Sequence, residues 1–247
     1  MRNYIKSEFY RISHRRYYRL TVLIFCLLSV VGNLAFKTWG TKLILKSLDL
    51  LELTIATSPF ILITFQNIIL GDEIKDKTLN NVIANGISRD KIILSKIITT
   101  SVFSMLFSVI VIGVHIIVSI ALFGGNEEGF KFISQFFMAY LSAIPFWIGL
   151  IALYTIFSVL IENQVVSVFI ILAFMVIVPQ VTRVISYFKP KLSFIHALQP
   201  DSVLKRLINL LQNRSLSNID WFTVKYGLVL FVISTSIAIS VFRKKDF

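Results

Sequence analysis

Six long apolar stretches, at about 18–37, 48–70, 95–123, 133–160, 164–187 and 223–242, alternate with shorter polar segments. Each is close to or above the roughly 20 residues a helix needs to cross a bilayer core of about 30 Å, so the pattern predicts six spanning helices. Residues 1–17 follow a different period. Ile5, Phe9 and Ile12 are spaced i, i+4, i+7, while Arg2, Lys6, Arg11, Arg15 and Arg16 fall largely elsewhere. That spacing predicts an amphipathic helix lying on the inner membrane face, its basic side toward anionic lipid. An unstructured basic flank that only sets topology is the alternative. Two polar segments interrupt the spans, a charged loop at 71–94 and a longer loop at 188–222. In the second, Pro200-Asp201-Ser202 predicts a helix start with Asp201 or Ser202 as N-cap. Val203, Leu204, Leu207, Ile208 and Leu211 then share one face, opposite Lys205 and Arg206. This reads as an interfacial helix on the outer surface, or as a contact with a partner subunit.

Composition fixes the class. The chain is 56% hydrophobic and only 15% charged, against about 25% charged in soluble domains, and its mean hydropathy is +0.79. The fold class is an all-α polytopic membrane protein, with six transmembrane helices and an N-terminal interfacial helix in a single transmembrane domain, 1–247. The net charge of +12 does not point to nucleic acid, because Lys and Arg gather in the loops of membrane proteins that stay cytoplasmic. Six basic residues lie within residues 1–19, at or before the start of the first span, and five lie in the charged loop with its entry into span three; three more, Arg243, Lys244 and Lys245, lie in the tail. The count favours cytoplasmic N- and C-termini in the cell membrane, although the 188–222 loop, with Lys189, Lys191, Lys205, Arg206 and Arg214, runs against it. Residues 20–35 have some features of a secretory signal; the long patterned segment before them and the five spans after them argue against cleavage. The single cysteine, Cys26, excludes an intramolecular disulfide.

Motifs for chemistry are missing from the sequence. There is no Gly-x4-Gly-Lys-Ser/Thr phosphate loop, no His-Glu-x-x-His and no Gly-x-Ser-x-Gly, and the three histidines are scattered. No catalytic residue, metal or cofactor is expected in this chain. Three polar residues at membrane depth are functional candidates by position: Glu52, His115 and Gln180. Glu52 could instead reach the outer interface and pair there with Lys46 or another base. His115 reads as a neutral histidine bonded to a neighbouring helix more readily than as a proton relay. Gln180, after Pro179, could line a polar cavity or bond across a subunit interface. Pro59, Pro145 and Pro179 can each kink a span.

The charged island, Gly71 to Lys96, carries the most information. Ile74, Thr78, Leu79, Val82 and Ile83 have helical spacing, with Asp72, Glu73, Lys75, Asp76 and Lys77 on the remaining surface. A short amphipathic helix there could lay its apolar side in a groove of a cytoplasmic partner; a solvated loop is the alternative. Asn85-Gly86 would end the helix, and Ser88 would cap the next one, through Lys96 into span three.

The six-span plan, the basic amphipathic N-terminus and this loop resemble the ABC-2 type permeases, the membrane subunits of ABC exporters. Glu73, Thr78, Leu79, Ser88, Arg89 and Lys96 occupy the family's Glu…Gly-Thr-Leu…Ser-Arg…Lys pattern, with Lys77 where glycine is usual, and the tail Phe242–Phe247 is similar to the family's ending. The resemblance implies that these six residues couple the chain to a separate ATP-binding cassette subunit carrying ATP and Mg. It also implies a second permease copy or paralogue, contact with membrane lipids, and an amphipathic, hydrophobic or peptide substrate. In style the chain is similar to Gram-positive lantibiotic-immunity and peptide-export permeases. The competing readings are a non-transporting anchor or sensor that recruits a cytoplasmic partner through the same loop, and an intramembrane enzyme resting on His115 and Glu52.

Overall fold

A computed structural model describes residues 2–39, 44–75, 79–161 and 163–244. These described residues form twelve α-helices in order: α1 (Arg2–Ser13), α2 (Arg16–Thr38), α3 (Ile44–Leu48), α4 (Leu50–Gln66), α5 (Asp72–Lys75), α6 (Leu79–Ala84), α7 (Arg89–Phe123), α8 (Glu127–Leu160), α9 (Gln164–Phe188), α10 (Ser193–Ala197), α11 (Pro200–Gln212) and α12 (Trp221–Lys244). A π-helical turn, Asn67–Gly71, joins α4 to α5, and no strand occurs among the described residues. Among the described residues, six helical stretches are long and apolar enough to cross a membrane: α2, α3–α4 with the π turn, α7, α8, α9 and α12. Their number and order are those the apolar pattern predicts, and the chain is a multi-pass membrane protein. Helices overrun the apolar spans because a polar flank outside the hydrocarbon can stay helical. The 35 residues of α7 make about 52 Å of helix at 1.5 Å per residue, well beyond a roughly 30 Å core, so its first turns project past it.

The bundle has two ends. The proximal end holds α1, α5 and α6, the start of α7 and the end of α12; the distal end holds α3, α10 and α11. α8 forms the centre, packed along most of α12. That contact is close because two glycines meet: a Cβ on Gly227 would fall on the backbone of Pro145 and Phe146, and one on Gly149 would approach the Gly227 carbonyl. Small residues let spanning helices approach where no hydrophobic force drives them together.

At the proximal end a second apolar cluster docks α1. Ile12, Tyr18, Phe65, Phe103 and Phe107 are buried together, with ring centroids of Tyr18 and Phe103 at 5.1 Å and of Phe65 and Phe107 at 5.0 Å. The apolar face of α1 is therefore turned to the bundle, where Phe9 meets Phe103 at 5.3 Å. At the distal end α11 is the amphipathic helix expected, with Val203, Leu204, Leu207 and Leu211 buried. Its start differs: Gln199 is the N-cap, Pro200 takes the first helical position, and the Ser202 hydroxyl donates back to the His196 carbonyl at 2.6 Å. Proline has no N–H to lose at that position, which displaces the cap to the residue before it.

Candidate functional site

The charged loop leads into a buried ion cluster at the proximal end. Lys96, on the second turn of α7, has no exposed side chain surface. Its ammonium donates to Glu8 Oε2 at 2.6 Å and to Glu73 Oε1 at 2.7 Å. Arg11 closes the ring, donating to Glu8 Oε2 at 2.6 Å and pairing through its other guanidinium nitrogen with Glu73. Glu8 and Glu73 are each 5% exposed. Two carboxylates and two cations leave the cluster neutral, which a buried site requires. The Tyr4 ring lies 5.7 Å from the Lys96 ammonium. Burial, then the Glu8 and Glu73 carboxylates, push the Tyr4 phenol well above its usual range, so it stays protonated.

Three separate segments meet there: α1 brings Tyr4, Glu8 and Arg11, α5 brings Glu73, and α7 brings Lys96. Glu8 and Arg11 lie i, i+3 on one face of α1. The π turn adds a residue to the helical turn just before Glu73 and so sets its direction. Two carbonyls of that turn are claimed by the N-terminal segment: Arg11 of α1 donates to Ile69 O at 3.5 Å, and Arg15, at the junction with α2, to Ile68 O. The first helix is thereby tied to the loop's root both by charge and by backbone.

The other residues of the loop pattern are placed differently. Thr78 and Lys77 lie outside the described residues. Leu79 is 1% exposed and belongs to the main core, so its side chain is not on the loop's surface. Ser88 is the N-cap residue of α7 in extended backbone, without a side-chain capping bond. Arg89 serves the chain itself, donating to the carbonyls of Arg243 at 2.6 Å and Phe242 at 3.4 Å, while Arg243 pairs with Asp90 through Arg243 Nε at 2.7 Å. An arginine on the last carbonyls of α12 satisfies groups that a helix end leaves open. It fixes the C-terminal end of α12 beside the start of α7.

The intramembrane candidates do not converge. His115 Nε2 donates to the Ser47 carbonyl at 2.9 Å, and Nδ1 accepts from the Ser29 hydroxyl at 2.9 Å and the Asn33 amide at 3.1 Å. That pattern fixes a neutral ring with its proton on Nε2. Ser119 extends it, donating to Asn33 Oδ1 at 2.9 Å. The histidine is thus a fastener between α2, α3 and α7. Glu52 lies in the first turn of α4 at the distal end and accepts from Gln212 of α11 at 3.0 Å; a neutral amide, not Lys46, is its hydrogen-bond partner. Gln180 is exposed on α9, away from both.

Glu8 is the residue that sequence reading passed over, although it is the only acid among the six bases of residues 1–19. An acid kept in a basic segment, three residues from an arginine, is the signal that was available.

A comparison with curated proteins gives no match. A family model described as ABC-2 family transporter protein matches residues 4–180, a stretch that runs from Tyr4 through the whole charge cluster to α9. That match covers well over half of the chain, and the chain belongs to the ABC-2 transporter family, whose members are membrane permease subunits associated with ATP-binding cassette subunits.

Proposed function

We propose that the chain is the permease subunit of an ABC exporter, forming with a second permease copy or paralogue the path of an amphipathic or hydrophobic substrate such as a peptide. ATP and Mg belong to a separate ATPase, which engages the proximal end. The observation that carries this reading is the Glu8–Arg11–Glu73–Lys96 cluster. It makes the root of the charged loop, the first helix and the third span one mechanical unit, so a push on the loop is delivered to α7 instead of being absorbed by it. ATP-driven motion of the partner then shifts the spans between two arrangements, to the extent that the partner binds them unequally. The docking surface is the exposed turn at Ala84–Gly86 with Ser88, while Leu79 anchors that turn from beneath. Cytoplasmic termini fit this placement, since α1 and the end of α12 share the proximal end with the loop.

The test is co-purification of the chain with its ATPase and ATP-dependent movement of a labelled amphipathic peptide. Ala84→Arg with Ser88→Arg, on exposed positions outside the cluster, is expected to weaken co-purification at least tenfold with an unchanged thermal midpoint. Undiminished binding and transport in that variant would sink the assignment. A stoichiometric complex that hydrolyses ATP but moves no amphiphile would favour the anchor reading.

A further inference from the structure

On the opposite side of α4 from α9, Phe25 of α2, Leu53 and Thr57 of α4, Val111 of α7, and Tyr140 and Trp147 of α8 line a cavity of about 140 Å³ at membrane depth. Its size is close to the roughly 150 Å³ of an engineered apolar cavity that takes up benzene. Leu53 and Thr57 are exposed, so it opens sideways at the edge of α4. No charged residue lines it, but hydroxyls from three helices do.

Those hydroxyls have already spent their protons. Thr54 donates to Leu51 O at 2.6 Å, Thr57 to Leu53 O at 2.6 Å, Ser58 to Ile55 O at 2.7 Å and Ser104 to Ser101 O at 3.0 Å. Ser108 donates to Met105 O at 2.9 Å, which makes the Tyr140 hydroxyl, 2.5 Å away, the donor to Ser108. The Trp147 indole N–H goes to Ser58 at 2.9 Å. What the wall offers a guest is therefore hydroxyl lone pairs on an aromatic and aliphatic surface. A guest that only accepts, such as an ether or ester, finds no donor. A charged guest finds no counter-ion and meets the full cost of burial.

We infer that this cavity is an intramembrane binding site for an alcohol-headed amphiphile, a hydrocarbon tail carrying one hydroxyl donor, entering from the bilayer between α2 and α4. The inference needs only that the chain spans a membrane and stands apart from the permease reading. Lipid tails carry no donor, so the hydroxyl gives the guest an advantage over the surrounding solvent worth one hydrogen bond at membrane depth, on the order of a threefold preference.

The experiment uses the full chain with Trp39→Phe and Trp221→Phe, leaving Trp147 as the only indole, in phosphatidylcholine vesicles. An ω-bromoalkanol and a 1-bromoalkane of equal chain length are titrated in turn as contact quenchers of its fluorescence. The alkanol is expected to quench saturably at a membrane concentration about threefold below the alkane. The unbrominated alkanol should reverse that quenching and its methyl ether should not. Ser104→Leu and Val111→Phe, which fill the cavity from one wall, should each remove the saturable part. Equal concentration dependence for alkanol, ether and alkane in the unfilled chain would overturn the proposal. So would saturable quenching that survives both fillings. The ether comparison stands even where a filled variant does not fold.

Discussion

At the proximal end of α7, Lys96 is fixed by carboxylates from α1 and α5; further along the same helix, His115 is fixed by one hydroxyl, an amide and a carbonyl from α2 and α3. Both sites are buried and both tie distant segments to one helix, yet one is ionic and the other neutral throughout. Position accounts for the difference. An ion pair in hydrocarbon must overcome the desolvation of two charges, which Coulomb attraction often fails to offset, whereas neutral hydrogen bonds between spans cost little to bury and return little, about 0.6 kcal/mol each on average. The charged cluster stands where α7 leaves the hydrocarbon and where two of its three segments never enter it. The neutral cluster therefore tolerates the loss of one member, and the ionic one does not. A junction of that kind is suited to transmitting a displacement, because its four groups cannot part singly.

The harshest way to break the comparison is Lys96→Met. It leaves Glu8 and Glu73 facing each other with Arg11 alone between them, and breaking a buried pair from one side costs about 3–5 kcal/mol. The loss is expected as a large fall in the thermal midpoint of the detergent-solubilised chain. A midpoint within a degree of the parent would mean that water reaches the cluster freely. Glu8→Gln added to Lys96→Met restores charge balance through the remaining Arg11–Glu73 pair. The double variant should be more stable than the sum of the two singles by an interaction term within the roughly 0.5–3 kcal/mol seen for residues in contact. Strict additivity would show that Lys96 is held by Glu73 alone.

The two clusters also differ in how far they could be read before the fold was known. His115 bonded to neighbouring helices follows from one rule, that a polar group at membrane depth must find a partner, and any nearby hydroxyl serves. Glu73 and Lys96 stand out by charge, but their partner Glu8 is invisible without the docking of α1, which depends on Phe9, Ile12, Phe65 and Phe103 meeting from three helices. Arg89 taught the same lesson from the other side: its role on the end of α12 joins residues more than 150 apart. The six spans were legible because apolar length is a local property. The π turn at Asn67–Gly71 was not, since nothing local distinguishes it from a continuing α-helix.

His115→Leu measures the neutral side. It strands the Ser29 hydroxyl and the Asn33 amide, each of which can turn to a backbone carbonyl, so the expected cost is about 1–2 kcal/mol. That is smaller than the Lys96→Met effect in the same unfolding assay. Equal losses at the two sites would remove the distinction between ionic and neutral fastening.

The smallest expected effect tests whether charge matters at the distal end as well. Asp220, just before α12, accepts from the Thr223 hydroxyl at 2.7 Å and from Arg206 at 3.4 Å. Burial works to raise its carboxyl, but the Thr223 hydrogen bond and the bonds and charge of Arg206 outweigh it and hold the group below the usual carboxylate range. A carboxylate whose value is depressed in the fold adds stability that is complete above its unfolded value, about 3.9. That stability is lost as pH falls through the lower folded value. Asp220→Asn keeps an acceptor for Thr223 and removes the charge, so the parent should exceed the variant slightly at pH 6. The difference between them should begin to shrink below about pH 4 and close as pH falls through the lower folded value, while carboxylates common to both chains cancel from it. If the difference persists unchanged at pH 3, the contribution of Asp220 is geometric, and the distal end is held without charge as the His115 cluster is.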